Sequence, residues 1–133
     1  MLSDTYPPVN RGGAGEVASL VADGLALRGH EVCVVTSGGV ADREPAPDSG
    51  DRGGAGGAGV AVRRIRTPVP AIARRHLSIL NPVAVAGVWR VAREFRPDAV
   101  HVHNVHERLS LASLAVARGG GSRTLPVILT AHD

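Results

Sequence analysis

The order of apolar and polar positions along the chain predicts strands and helices in alternation. Short continuous apolar runs predict strands over residues 1–3, 32–35, 60–65, 99–103 and 127–130. Apolar residues that recur at helical spacing predict helices over residues 14–28, 82–95 and 109–118. Because strands that alternate with helices form parallel sheets, the pattern predicts an α/β, Rossmann-like fold with helices on both faces of the sheet.

The predicted helices have recognisable boundaries and apolar stripes. Gly29 ends the first helix, and Asn81 followed by Pro82 gives the second helix a capping residue and a first-turn proline. Two sets of side chains are expected to face the sheet: Ala14, Val17, Ala18, Val21 and Leu25 from the first helix, and Val85, Val88, Trp89, Ala92 and Phe95 from the second.

One region of the chain is dominated by residues that disfavour regular structure. Residues 37–59 contain eight of the 17 glycines together with Pro45 and Pro47. We therefore predict a flexible surface loop over 37–59. The strand that follows contains Arg63 and Arg64, which predicts a position nearer an edge of the sheet.

Composition limits the class of protein. The chain has 133 residues, of which 44% are hydrophobic and 20% charged, so we expect one soluble domain at most. No apolar run approaches the roughly 20 residues that span a bilayer, and we expect no secretory signal. The single cysteine, Cys33, excludes a disulfide scaffold and favours a reducing compartment, so we expect a cytoplasmic protein.

Positive charge is concentrated in the middle of the chain. All 15 basic residues, counted as Lys and Arg, are arginines. The segment from Arg63 to Arg96 contains eight of them and a single acid, Glu94, for a local net charge of +7. Such a block can bind phosphates, anionic lipid or nucleic acid. Only three aromatic residues occur in the chain, Tyr6, Trp89 and Phe95, too few for a base-stacking surface, so we expect no nucleic-acid partner.

Glycines precede the first helix at the place where open parallel sheets bind ligands, outside the carboxyl ends of the strands. The amides of Gly12, Gly13, Ala14 and Gly15, with the helix N-terminus, can hold a phosphate or diphosphate. The pattern Gly13-x-Gly15-x-x-Ala18 satisfies a loose dinucleotide fingerprint, but no acid ends the second strand to hold a ribose. Glycines that serve only a tight turn are the alternative interpretation.

Three histidines lie close together around the fourth strand. His101, His103 and His106, followed by Glu107, permit a metal-site hypothesis because imidazole is a common metal ligand. A hydrogen-bonded core role is the favoured interpretation for His101, and we expect no metal. Nucleophile motifs are absent, since no Gly-x-Ser-x-Gly elbow occurs and Cys33 lies within a strand.

Three blocks of sequence resemble one known family. The segments SDTYPPVNRGGAGEVASLVADGLALRGHEVCVVTSG, RPDAVHVHN and LPVILTAHD look like the amino-terminal domain of glycosyltransferase family 4, whose members are retaining enzymes of the GT-B fold with two Rossmann-like domains. The resemblance implies transfer of a sugar from a nucleotide-diphosphate sugar to an acceptor, with no further cofactor. The blocks cover most of the chain and do not identify a substrate.

The same resemblance assigns expected roles to individual residues. It implies that Gly12, Gly13 and Ala14 approach the donor diphosphate and its sugar, and that His132 contacts that sugar as the catalytic residue. It also implies that Tyr6, Asn104 and His106 line the acceptor side. Residues 1–133 are then an incomplete amino-terminal domain, the donor domain is absent from the chain, and the isolated chain is inactive.

The basic segment 71–80 has a further predicted role. In relatives that glycosylate lipids, the resemblance implies that this region faces an anionic membrane, so Arg74 and Arg75 are candidates for peripheral contact at the inner face of a membrane. Solvated arginines on an ordinary loop are the alternative. Two other function classes stay open: a non-catalytic nucleotide or dinucleotide-binding module, and a metal-dependent hydrolase that uses the histidines.

Overall fold

A computed structural model of the chain describes residues 1–8, 13–38, 59–67, 74–105, 107–119 and 124–131. Within these residues the chain forms strands and helices in the predicted alternation. The strands are β1 (Leu2–Ser3), β2 (Val32–Gly38), β3 (Val60–Arg66), β4 (Val100–His103) and β5 (Val127–Thr130). The helices are α1 (Gly13–Leu27), α2 (Arg74–Leu77), α3 (Pro82–Phe95) and α4 (Ala112–Gly119).

All the described strands form one parallel sheet in the order β3-β2-β1-β4-β5. The prediction of an α/β, Rossmann-like fold is therefore confirmed, as is the edge position of β3. The two-residue strand β1 lies at the centre, where Leu2 is in register with both Val35 and Val102. The chain builds β2 and β3 on one side of β1 and then β4 and β5 on the other. The strand order thus reverses between β1 and β4, which is where such sheets bind ligands.

The helices cover the two faces of the sheet unequally. Val32 and Val34 of β2 belong to a core cluster with Ala18 and Ala22 of α1, whereas the alternate residues Cys33 and Val35 pack in a second cluster with α3 and α4. This division follows from the alternation of side chains along a strand. At the far edge, strand β5 is poorly covered: Val127, Ile128 and Leu129 are 38%, 56% and 67% exposed.

The apolar stripes of both long helices differ from the prediction. The buried residues of α1 are small, namely Gly15, Ala18, Ser19 and Ala22, and Val17 is partly exposed. Small residues on this face let the helix axis approach the sheet closely, which larger side chains would prevent. In α3 the buried residues are Ala84, Val88 and Val91, while Trp89 is exposed and stacks under the Arg93 guanidinium at 4.8 Å. The predicted inward position of Trp89 is therefore wrong.

Element boundaries agree where a local signal sets them. Asn81 caps α3, because its side-chain oxygen accepts hydrogen bonds from the amides of Val83 and Ala84, and Pro82 begins the helix as predicted. Helix α4 begins at Ala112, three residues later than predicted, since Ser110 adopts a left-handed φ of 63° that a right-handed helix cannot include. Helix α2 was not predicted.

The predicted loop over 37–59 begins too early. Ser37 and Gly38 belong to β2, where they pair with Ile65 and Arg66, and the Ser37 hydroxyl donates a hydrogen bond to the carbonyl of Asp4. Gly59 directly precedes β3, and the rest of the predicted loop lies outside the described residues.

The amino group of Met1 takes part in the sheet. It donates a 2.6 Å hydrogen bond to the carbonyl of Cys33, and the Met1 carbonyl accepts one of 2.8 Å from the amide of Val35. Burial lowers the pKa of this amino group from its ordinary value of 8.0, because desolvation disfavours the ammonium form.

This buried amino group predicts a pH dependence of stability. Because its pKa is lowered on folding, the unfolded chain binds more protons just below pH 8.0, so the free energy of unfolding should rise with pH there. Denaturant unfolding at about pH 7 and about pH 8.5 should show this increase. Acetylation of Met1 keeps an N–H donor and removes the charge, so it should flatten the dependence. An equal slope in the acetylated chain would contradict the assignment to Met1.

Candidate functional site

The carboxyl edge of the sheet brings the ends of β1, β2 and β4 together. Asp4 follows β1 directly and is 4% exposed. Its amide donates to the carbonyl of Asn104 at 3.2 Å, and its own carbonyl accepts the Ser37 hydroxyl at 2.7 Å. The backbone of Asp4 therefore ties the central strand to both neighbouring strand ends.

The side chain of Asp4 binds the loop that follows β4. Its Oδ2 accepts from the amide of Glu107 at 2.7 Å, and its Oδ1 accepts from the amides of Leu109 at 2.7 Å and Arg108 at 3.2 Å. Backbone N–H groups are strong partners for a carboxylate removed from water. Asp4 is not among the residues predicted for the site, although an acid placed directly after an apolar strand was the available signal.

The other side of the same loop contacts the segment before α3. The side-chain amide of Asn81 donates to the carbonyl of Arg108 at 3.0 Å. The amides of Leu111 and Ala112 donate to the carbonyls of Ser78 and Ile79, both at 3.0 Å. Asn81 therefore caps α3 and holds the β4 loop at the same time.

The predicted acceptor-side residues lie in different environments. Asn104 is partly exposed at the end of β4 and has a left-handed φ of 41°, a conformation that asparagine tolerates better than most residues. Tyr6 is 1% exposed and packs in the core cluster beneath α1, so its ring does not reach the surface of the edge. Burial raises the pKa of Tyr6, and the nearby Ser19 hydroxyl acts in the opposite direction. His106 lies outside the described residues, and the acceptor roles stay predictions.

The glycine region is described from Gly13 onwards. Gly13 begins α1, and a β-carbon placed on it would meet no atom of the described residues within 4 Å. Because α1 runs back along the sheet from β1 to β2, its N-terminus lies at the carboxyl edge. Ala14 is the next residue of the helix and is partly exposed, whereas Gly12 lies outside the described residues. The first turn therefore presents helix amides next to open space, which suits an anion.

Arg64 supports the segment that leads to this helix. Its Nη2 donates a 2.6 Å hydrogen bond to the carbonyl of Pro7, which connects β3 to the stretch after β1. The guanidinium also lies near the Tyr6 hydroxyl, where its positive charge lowers the pKa of that tyrosine against the larger effect of burial. A cation is thus fixed beneath the segment between β1 and α1.

The histidines of β4 make structural contacts. The Nε2 of His101 lies 2.8 Å from the Thr130 hydroxyl of β5, which agrees with the favoured hydrogen-bonded role, and its ring centroid is 4.3 Å from that of the fully buried His103. Burial lowers the pKa of His101, and the positive amino terminus acts in the same direction. Among the described residues, no three His, Cys, Asp or Glu side chains converge as metal ligands. His106 lies outside the described residues. His132 is also outside the described residues.

A parallel α/β sheet with a reversal of strand order beside β1, and with the N-terminus of α1 at that edge, defines a Rossmann-like domain. The chain belongs to the glycosyl transferase 4-like domain family, whose model matches residues 12–133. The resemblance to glycosyltransferase family 4 is thereby confirmed at the level of the family. No curated protein matches the chain. In the described part of the chain, no helix is long and apolar enough to cross a bilayer.

Proposed function

We propose that this chain is the amino-terminal, acceptor-side part of a retaining glycosyltransferase that takes a sugar from a nucleotide-diphosphate sugar. Membership of the glycosyl transferase 4-like family supports sugar transfer in general. The observation that carries the proposal further is the open N-terminus of α1 at Gly13, on the edge where the strand order reverses. The cytoplasmic location expected from the single buried Cys33 belongs to the same proposal.

These residues would act by electrostatic stabilisation of the leaving group. As the bond from the sugar to the diphosphate breaks, negative charge develops on the leaving phosphate, and preorganised amides stabilise it without reorientation. The amides of Gly13 and Ala14 would supply part of this field, and a donor domain carried elsewhere in the protein would supply the rest. His132 would contact the transferred sugar, and Asn104 would face the acceptor, with His106 beside it.

A thermal-shift screen distinguishes the candidate functions. The protein that joins this domain to its donor domain should unfold at a higher temperature with nucleotide-diphosphate sugars, because a ligand of the native state stabilises it by mass action. Nicotinamide cofactors and divalent metals should leave the midpoint unchanged. Stabilisation by a nicotinamide cofactor alone would favour the non-catalytic dinucleotide module, and stabilisation by a metal alone would favour the hydrolase.

We propose further that the segment around α2 contacts an anionic membrane. Four exposed apolar residues form an apolar patch there: Ile79, Leu80, Val83 and Leu111, which are 64%, 55%, 51% and 51% exposed. Hydrogen bonds between 78–79 and 111–112 hold the two parts of the patch together. Arg74 and Arg75 of α2 directly precede it in the chain. Apolar side chains beside arginines are the combination that binds peripherally to anionic lipid.

Co-sedimentation with lipid vesicles tests the membrane contact. Binding should rise with the fraction of anionic lipid and fall as salt shortens the Debye length below about 10 Å. The double substitution Ile79→Ser and Leu80→Ser should weaken it, whereas Leu27→Ser, at an 80% exposed leucine on α1, should not. Equal recovery in the supernatant with neutral and anionic vesicles at low salt would refute the proposal and favour a soluble acceptor.

A further inference from the structure

We infer that Asp4 is a positioning residue, whose carboxylate fixes the backbone of the loop after β4 in the shape that presents Asn104 to the acceptor. The role of Asn104 toward an acceptor rests on the proposed function. The geometric part stands on three hydrogen bonds to one buried carboxylate, from the consecutive amides of Glu107, Arg108 and Leu109.

Burial of the Asp4 carboxylate costs free energy of desolvation. This cost argues that the carboxylate does more than connect β4 to α4. A carboxylate that is 4% exposed loses its hydration, and the loss is offset by several aligned N–H donors. The donors lie more than a hundred residues further along the chain, at the opposite side of the central strand from β2. A connection between β4 and α4 needs no such partner.

The loop held by Asp4 is strained at both ends. Asn104 and Ser110 have φ values of 41° and 63°, in the left-handed region that non-glycine residues rarely adopt. Ser110 is also fully buried, and its hydroxyl has no hydrogen-bond partner in the part of the chain that the structure describes. Such strain persists only where surrounding contacts fix the conformation, and it is concentrated at functional sites. The contacts that fix it here are those of Asp4 and Asn81.

The same contacts explain why the loop exists. The apolar spacing of residues 109–118 is that of a helix, yet α4 begins only at Ala112. The amide of Leu109 donates to Asp4, and the left-handed φ of Ser110 separates Leu109 from the first turn of α4. By binding three consecutive amides, the carboxylate holds a bent loop near Asn104, at the edge where the strand order reverses.

Amide hydrogen exchange tests the clamp in the chain itself. Asp4→Asn places an NH₂ group among N–H donors, so at least one of the three amides loses its acceptor. Exchange at residues 107–109 should accelerate by about tenfold or more, with β2 and α1 unchanged. The matched control is Asp98→Asn, at an exposed aspartate before β4, which should change nothing in this loop. Unaltered exchange at 107–109 would overturn the inference.

A second variant loosens the loop without touching Asp4. Asn81→Ser keeps a good capping residue for α3 but removes the donor to the Arg108 carbonyl. It should accelerate exchange at the same amides to a smaller extent. If Asp4→Asn does not fold, the wild-type chain still decides, since exchange at residues 107–109 as fast as in an unstructured peptide would show that the carboxylate does not hold these amides.

Kinetics of the protein that includes the donor domain test the link to the acceptor. Both variants should raise KM for the acceptor by about fivefold or more, with KM for the donor and kcat within about twofold. An active wild-type protein whose acceptor KM is unaffected by Asp4→Asn would overturn the positioning role. A wild-type protein without sugar transfer would refute the proposed function, while the exchange result would still decide whether Asp4 holds the loop.

Discussion

Replacement of Gly13 by valine is expected to reduce sugar transfer by about a hundredfold or more in the protein that joins this domain to its donor domain, and to leave the fold intact. A β-carbon at Gly13 meets no atom of the described residues within 4 Å, so we expect the folded domain to accept valine there. The same open space is where a donor phosphate would approach the first amides of α1. A β-branched side chain would fill it and prevent the approach.

The measurement is the steady-state rate of transfer together with the thermal unfolding midpoint. Gly24→Ala in the middle of α1 is the control, because a β-carbon there meets only the flexible end of Arg28 at 3.4 Å. Both variants should unfold near the wild-type temperature, and only Gly13→Val should lose activity. Transfer at the wild-type rate in Gly13→Val would contradict the role proposed for the glycine.

The sequence predicted those features that depend on nearby residues. The Asn81-Pro82 pair defines the start of α3, because both the cap and the first-turn proline act within one turn. The apolar run at 32–35 predicts a strand buried on both faces, which β2 is. The arginines at 63 and 64 predict an edge strand for the same kind of local reason, since charged side chains need access to water.

Other features depend on contacts between distant parts of the chain, which no local pattern reports. The face of α1 that packs on the sheet carries glycine, alanine and serine, so a search for large apolar residues finds the wrong stripe. Trp89 has the spacing of a core residue, yet it lies on the exposed side of α3, where the Arg93 guanidinium covers its ring.

The candidate site shows the same limit. Asp4 could be noticed only as an acid after an apolar strand, because its partners are more than a hundred residues away. The late start of α4 likewise depends on the loop that Asp4 holds, in which Ser110 has a left-handed φ. Tyr6, predicted at the acceptor side, is buried in the cluster with Ala18 and Ala22 of α1, a packing that local sequence does not report, and its acceptor role stays a prediction.

The largest expected effect on stability comes from Leu109→Ala. Leu109 is fully buried, in the cluster formed by β4, α3 and α4, so its truncation should lower the free energy of unfolding by about 2–5 kcal/mol. Since domains are stable by only about 5–15 kcal/mol, the variant should be close to unfolding. Its backbone amide remains available to Asp4, so the loss would report packing and not the clamp.

Leu129→Ala is the matched control for this prediction, because it removes the same atoms from a leucine that is 67% exposed on β5. The exposed Leu129 side chain contributes little buried apolar surface, so its truncation should change the free energy of unfolding by less than about 1 kcal/mol. Denaturant unfolding of the two variants beside the wild type gives the comparison. A large loss in both variants would mean that Leu129 on β5 is covered. A small loss in both would mean that the packing around Leu109 is looser than its burial indicates. A large loss in Leu109→Ala alone would establish that the Leu109 side chain also anchors the loop held by Asp4 in the core.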